Sequence, residues 1–295
     1  MKRQIFLCKT YMMKQFTSIA ETVDYLNTER EKGLMIGFVP TMGALHDGHL
    51  SLIKRSKMEN DLTVCSIFVN PAQFNSREDL NKYPRTLVYD AKLLTEIGCD
   101  VLFAPEASAM YPEGETPGID VDFGMLDKVM EGKFRPGHFK GVAIVVKKLF
   151  DIVNPARAYF GKKDYQQLAI IRHMVKTLHL MPEIVACETV READGLAMSS
   201  RNMRLTISER NLAPKIYEVL SKLKAKTGKL SVGELKEWAV KKIQEYPELR
   251  VEYFEIGDKD TLLPLKNLNR KEQAMAFTAV FLGDVRLIDN IELFL

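Results

Sequence analysis

His46 and His49 stand three residues apart in residues 34–50, LMIGFVPTMGALHDGHL, where an apolar run meets a proline, a glycine and then His-x-Gly-His at a predicted helix start. Residues at that spacing share a face of the helix's first turn. The free backbone amides there carry partial positive charge and favour phosphate. Imidazoles on that face can donate hydrogen bonds to a phosphoryl group as charge builds in its transition state. In this reading Pro40 ends the strand, Gly43 permits a tight turn, and Gly48 lets a ligand approach bare backbone. The reaction such a site suits best is attack at the α-phosphate of a nucleoside triphosphate, with pyrophosphate leaving. The plainer alternative is that one histidine caps the helix while the other packs. A zinc pair is disfavoured, because a catalytic zinc wants three protein ligands and no third stands nearby.

Two further clusters carry chemistry. Gly161-Lys162-Lys163-Asp164, followed by Gln166 and Gln167, offers a glycine after a strand, a lysine for phosphate and an aspartate for ribose hydroxyls or a metal. Met198-Ser199-Ser200-Arg201, beside Asp194-Gly195, offers two hydroxyls and a guanidinium that could clamp a triphosphate. Taken alone, the first is equally a solvated turn, and the second a helix cap with a surface arginine.

These residues need a scaffold, and the chain can build one. Its 295 residues, 46% of them hydrophobic, suffice for a large domain and a small one. The +3 charge is the remainder of 42 basic and 39 acidic residues, so no global field recruits nucleic acid or an anionic membrane. Cys8, Cys65, Cys99 and Cys187 are scattered without a CxxC pair, which predicts buried, reduced thiols in a cytoplasmic protein. The first residues hold no secretory apolar core, and no apolar run is long enough to cross a bilayer. Residues 1–11 read as a frayed extension or a misplaced start and are assigned no function.

Apolar runs at 34–39, 62–69, 101–103 and 158–160 read as strands, with helical patterns between them at 50–59, 87–97 and 142–152. That alternation predicts an α/β fold, a Rossmann-like parallel sheet with helices on both faces. Ligands of such sheets sit beyond the carboxyl ends of the strands, and PTMGALHDGH, NPAQF and FGKKDYQQ all fall there. After about Val190 the pattern changes to helices at 207–224 and 232–246, then strands at 250–256, 274–282 and 285–290, the last two joined by Gly283-Asp284. The predicted organisation is a Rossmann-like domain over 1–189 and a smaller α+β domain over 190–295.

PTMGALHDGHLSLI, IFVNPAQF, YPRTL, EGKFRPGHFKGV, YFGKKDYQQL and DGLAMSSRN occur in an order that resembles the pantoate–β-alanine ligase family, from about Thr17 to the C-terminal strands. The resemblance implies a His-x-Gly-His nucleotidyltransferase in which pantoate's carboxylate attacks the α-phosphate of Mg-ATP. The amine of β-alanine then attacks the resulting adenylate. It implies that Met42, Gly43, Ala44, Leu45, His46, Asp47, Gly48 and His49 bind ATP, with His49 the proton donor of the family pattern and His46 contacting phosphate. Because attack by a carboxylate requires no proton transfer, His49 is expected to act mainly by stabilising phosphoryl charge.

The resemblance further implies that Gly161 and Asp164 lie near the ribose and Val190 near the adenine. Lys162, Met198 and Ser200 complete the ATP site, with Lys163, Ser199 and Arg201 around the phosphates. Lys163 joins His46 and His49 as a catalytic residue. Gln73 and Gln167 hold pantoate, and Gln73 borders the β-alanine site; amides can bind a carboxylate or hydroxyl without adding a competing charge. Mg²⁺ is held mainly by ATP oxygens, with Asp90 a candidate partner but no metal ligand assigned. His138 is placed near the cleft, and residues 75–89, polar and glycine-free, are a candidate lid. A homodimer is implied, with neither nucleic acid nor membrane as partner. The competing readings are another adenylyl- or cytidylyltransferase on the same scaffold, and a nucleotide-binding regulator without turnover. Too little chain follows Val190 for the anticodon recognition of a tRNA synthetase.

Overall fold

The computed structural model describes residues 12–113, 118–268 and 273–293. The first sheet contains six parallel strands, β1 (Lys14–Phe16), β2 (Ile36–Thr41), β3 (Leu62–Ile67), β4 (Val101–Phe103), β5 (Arg157–Gly161) and β6 (Glu183–Cys187), in the order β1-β4-β3-β2-β5-β6. The helices between them are α1 (Ile19–Glu31), α2 (Asp47–Glu59), α3 (Arg77–Lys82), α4 (Leu87–Glu96), α5 (Ala107–Met110), α6 (Met130–Phe134), α7 (His138–Val153) and α8 (Tyr165–Thr177).

Successive strand residues point to opposite faces of the sheet, and helices cover both. Phe38, Val64, Phe103 and Phe160 pack with Leu26 of α1, Phe150 of α7 and Ile171 of α8. Val39, Cys65, Leu102 and Tyr159 pack with Ile53 of α2 and Leu94 of α4. Burial on both faces is why these strands read as unbroken apolar runs rather than alternating ones. Cys65, Cys99 and Cys187 are buried free thiols, as expected, while Cys8 and the 1–11 extension lie outside the described residues. The short edge strand β1 and β6, with α1 and α8, were not delimited in the sequence.

Pro40 does not end β2, which runs on to Thr41. Pairing with β3 continues to Thr41↔Ile67, whereas pairing with β5 stops at Phe38↔Ala158. Alternation places the missing N–H of Pro40 on the β5 side, so the proline ends that ladder alone. It therefore opens the sheet between β2 and β5, where strand order reverses and where such folds bind ligands. A side chain at Gly37 would run into Ser56 of α2 and Asn60 at its C-cap, so glycine lets that helix lie close on β2.

The second sheet is antiparallel, β7 (Leu249–Asp258), β8 (Ala274–Leu282) and β9 (Val285–Leu293), with Gly283 in the left-handed region at the β8–β9 turn. The predicted single helix over 207–224 is two, α9 (Ile207–Leu212) and α10 (Lys215–Lys224), because Pro214 cannot continue the first. The next helix, α11 (Val232–Ile243), is shorter than predicted. Leu220 and Leu223 of α10 and Leu235 and Ile243 of α11 form one core with Val280 and Leu282. Met130 and Tyr165 meet Met275 and Phe277 where the two sheets' layers join. Beside them Glu131 accepts from Nη1 and Nη2 of Arg286, at 2.8 and 2.6 Å, and from the Tyr253 hydroxyl at 2.9 Å. No helix among the described residues is long and apolar enough to cross a membrane.

Candidate active site

The turn from β2 into α2 passes through two consecutive left-handed residues, Gly43 at φ 78° and Ala44 at φ 50°. Alanine tolerates that conformation only when its surroundings fix it. Asp90 of α4 does so: its carboxylate accepts from Ala44 N at 2.9 Å and Leu45 N at 2.8 Å, and from Thr86 Oγ1 at 3.1 Å. The residue is wholly buried and both oxygens are engaged. Asp90 is therefore a support for the turn. Its distance in sequence from the turn concealed the contact.

His46 is the N-cap of α2, and its ring is held against His49, centroids 4.1 Å apart. His46 Nδ1 accepts from Gly48 N at 3.1 Å, and His49 Nδ1 accepts from His46 N at 3.4 Å. The pair thus forms a reciprocal cap built from imidazoles. An accepting Nδ1 assigns the proton to Nε2 in each ring. Burial, the His46 ring and Lys163 push the His49 pKa down to about 3. Burial and Lys163 take His46 down to about 4. Both imidazoles are neutral near pH 7, so they present N–H donors without positive charge. The plainer sequence reading, in which one histidine caps, is correct for His46, yet the cap leaves Nε2 free to donate. A side chain at Gly48 would approach the His46 ring to 2.8 Å. The glycine is required by this histidine as well as by any ligand.

Both rings line a cavity of about 200 Å³ together with Met42, Gly48, Gln73, Gly161, Lys163, Asp164, Gln167, Val190, Met198, Ser199, Ser200 and Arg201. Gly43, Ala44, Leu45, Asp47 and Lys162 do not line it. The first three are buried in the turn, Asp47 is exposed, and the Lys162 amine pairs with Glu188. Lys163 and Asp164 sit in a 3-10 turn after β5, and Asn290 of β9 donates to the carbonyls of Lys162 (3.0 Å) and Lys163 (2.8 Å). Of the two adjacent glutamines on α8, Gln166 turns inward to the carbonyls of Leu126 and Val129, leaving Gln167 at the cavity.

Val190 and Met198 are brought together by a bond from Met198 N to Val190 O at 3.0 Å, so residues far apart in role share one hairpin. Arg191 anchors that hairpin by a two-pronged bond to Asp289 and lies 3.6 Å from the Tyr217 ring centre. Arg201 and the nearby Arg204 are each held by Asp79 of α3 at 2.9 Å. Burial opposes ionisation of that carboxyl, but the two guanidinium groups outweigh it and hold its pKa below the ordinary value. Tyr83 adds a hydroxyl contact to Ser200 at 3.2 Å. The candidate lid is thus tied to the Met-Ser-Ser-Arg loop, a coupling that neither segment reveals by itself.

Gln73 lies in a short 3-10 turn after β3, and its side chain is buried. His138 fixes its backbone, with Nδ1 2.7 Å from the Gln73 carbonyl and Nε2 3.1 Å from Arg135. Burial and Arg135 lower the His138 pKa to about 4, so this ring is neutral and donates from Nδ1. Asn70 contacts the Gln73 side-chain oxygen at 3.3 Å. A larger cleft of about 510 Å³, between the two sheets' layers, shares Lys163, Asp164, Gln167, Ser199 and Arg201 with the smaller cavity. Lys82, Arg135, Arg250 and Arg286 line it among as many carboxylates as cations, and Arg286 is paired with Glu131 and Glu252. The combined space has neutral donors at a helix N-terminus, the Gln73 and Gln167 amides, and Lys163 and Arg201 as cations. It can bind a polyanion beside a small polar acid.

Comparison with known proteins gives the same direction. The Pantoate-beta-alanine ligase family model matches residues 14–292. A Pantothenate synthetase of Bacteroides fragilis is 50% identical over 280 residues, covering 95% of this chain and 99% of the relative. One from Cytophaga hutchinsonii is 46% identical over 285 residues, covering 96% and 100%. The crystal structure of pantothenate synthetase from Thermus thermophilus superposes with a TM-score of 0.90 at 44% identity, covering 96% of this chain and 100% of that one. A pantoate-beta-alanine ligase from Francisella tularensis, complexed with beta-gamma ATP and beta-alanine, superposes with a TM-score of 0.80 at 38% identity, covering 95% and 98%.

Proposed function

The chain belongs to the pantoate–β-alanine ligase family, and we propose that the cleft described above is where it joins pantoate to β-alanine with ATP. The reaction is an AMP-forming carbon–nitrogen ligation that makes pantothenate. Pantoate's carboxylate attacks the α-phosphorus of ATP, expelling pyrophosphate and leaving a pantoyl adenylate. The amine of β-alanine attacks the activated carbonyl carbon, and AMP departs with the former carboxylate oxygen. The observation that carries this reading is the pair of neutral imidazoles at a helix N-terminus, lining the same cavity as Gln73 and Gln167.

In this reading Nε2–H of His46 and His49 donate to phosphoryl oxygens, and Lys163 neutralises charge as pyrophosphate leaves. A neutral imidazole is a poor acid, so His49 acts as a hydrogen-bond donor and transfers no proton. Gly161, Asp164 and Val190 receive the nucleoside, while Met198, Ser199, Ser200 and Arg201 meet the triphosphate. Arg201 then exchanges the Asp79 carboxylate for phosphate oxygens. Gln73 and Gln167 hold pantoate, with β-alanine entering beside Gln73. Mg²⁺ bound with ATP would be held mainly by the phosphate oxygens and would supply charge shielding there. The working organisation is two domains divided near Val190, in a cytoplasmic homodimer that engages no nucleic acid. The family match does not favour a different transferase on the same scaffold.

The test is exchange of labelled pyrophosphate into ATP without β-alanine. Pantoate should drive it. No exchange, or exchange driven by another acid but not by pantoate, contradicts the assignment.

A further inference from the structure

Tyr111, immediately after α5, does not itself line the cavity, yet its hydroxyl ends a chain of hydrogen bonds that begins at the substrate side of Gln73. It donates to Asn70 Oδ1 at 2.8 Å. The same oxygen accepts from Ala72 N at 3.2 Å, while Asn70 Nδ2 donates to Gly141 O at 3.1 Å and to Gln73 Oε1 at 3.3 Å. Two backbone groups whose polarity is unambiguous, an amide and a carbonyl, identify which end of the Asn70 amide is its oxygen, and the Tyr111 hydroxyl is the side-chain donor that helps hold that end. With its oxygen bound to Asn70, the Gln73 amide turns its nitrogen outward, 2.8 Å from Met42 Sδ at the cavity wall. The helix that supplies Gly141 can come this close only because a side chain there would strike the Ala72 carbonyl.

We propose that Tyr111 is a positioning residue for the acid substrate: through Asn70 it locks the Gln73 amide with its N–H donors toward the cavity, selecting a carboxylate or hydroxyl oxygen there. Were the amide free to turn over, its carbonyl would face the substrate's oxygens and repel them. The Tyr111 ring packs near Phe68, so Tyr111→Phe keeps the packing and deletes only the donor. Burial raises the phenol's pKa to about 12, so the hydroxyl remains a donor across the working range. The inference rests on the proposal that Gln73 contacts pantoate.

The experiment is steady-state kinetics on Tyr111→Phe, Gln73→Ala and the double variant. Loss of one neutral hydrogen bond in the relay should raise the KM for pantoate roughly 3- to 10-fold, with kcat and the KM for ATP within about twofold of the parent. In the Gln73→Ala background, Tyr111→Phe should add nothing, because the group it orients is gone. Asn70→Asp, which can accept from Tyr111 and Ala72 but cannot donate to Gln73, should raise the KM for pantoate at least as much. If Gln73→Ala raises the KM but Tyr111→Phe does not, or if Tyr111→Phe retains its full factor in the double variant, the relay is wrong. If Gln73→Ala leaves the KM for pantoate unchanged, the reading of Gln73 is wrong and the relay falls with it.

Discussion

His49→Ala will lower pantoate-driven pyrophosphate exchange by about 10²- to 10³-fold, the usual effect of deleting one donor aimed at transition-state charge. ATP affinity should fall by less than about tenfold, because the contact strengthens as charge develops and is weaker in the ground state. The substitution also removes half of the reciprocal cap on α2, which costs about 1 kcal/mol of stability and leaves the fold intact. His49→Gln separates the two chemical roles. Its amide N–H reaches about as far as the imidazole Nε2 but cannot serve as an acid, so under hydrogen-bond donation it retains part of the lost rate. Activity as low as that of His49→Ala would instead favour proton transfer. Equal losses in exchange and ATP binding would reduce His49 to a ground-state contact.

Asp90→Ala will unfold the protein at a markedly lower temperature and weaken ATP binding together. Two buried amides, those of Ala44 and Leu45, lose their partner at a turn that holds Ala44 at φ 50°. Each unsatisfied buried amide costs about 1–3 kcal/mol, so the sum is about 2–6 kcal/mol, or roughly 3–10 °C in Tm for a chain of this size. The loss is independent of Mg²⁺. A thermal melt of the variant, with and without Mg²⁺ and without nucleotide, measures it. An unchanged Tm with a raised Mg²⁺ requirement would contradict this and assign Asp90 to the metal.

The doubly wound sheet was legible because its strands are buried on both faces, and runs such as those containing Phe38 and Val64 show this without any partner information. The sheet's opening was misplaced in one detail, since Pro40 ends a ladder and not a strand, and which neighbour an N–H faces is not written in a single segment. Short elements such as β1 carry too few residues to show a period. Most of the motif residues line one cavity, because each motif follows a parallel strand and all such ends emerge on one side of the sheet, whereas Gly43, Ala44, Leu45, Asp47 and Lys162 do not. The supports were hidden for the opposite reason. Asp90, Asp79, Tyr111 and Asn290 act across long stretches of chain, and a carboxylate, phenol or amide carries no local sign of the distant backbone or guanidinium it will meet. His138, expected only near the cleft, holds the Gln73 carbonyl.

The central claim is that a carboxylate oxygen of pantoate attacks the α-phosphorus beside the paired neutral histidines. Pantoate labelled with ¹⁸O in both carboxylate oxygens, turned over with ATP and β-alanine, tests it by mass spectrometry of the products. The account predicts one ¹⁸O in AMP and one in the new amide of pantothenate. Unlabelled AMP, or label in orthophosphate with ADP as the nucleotide product, would contradict it.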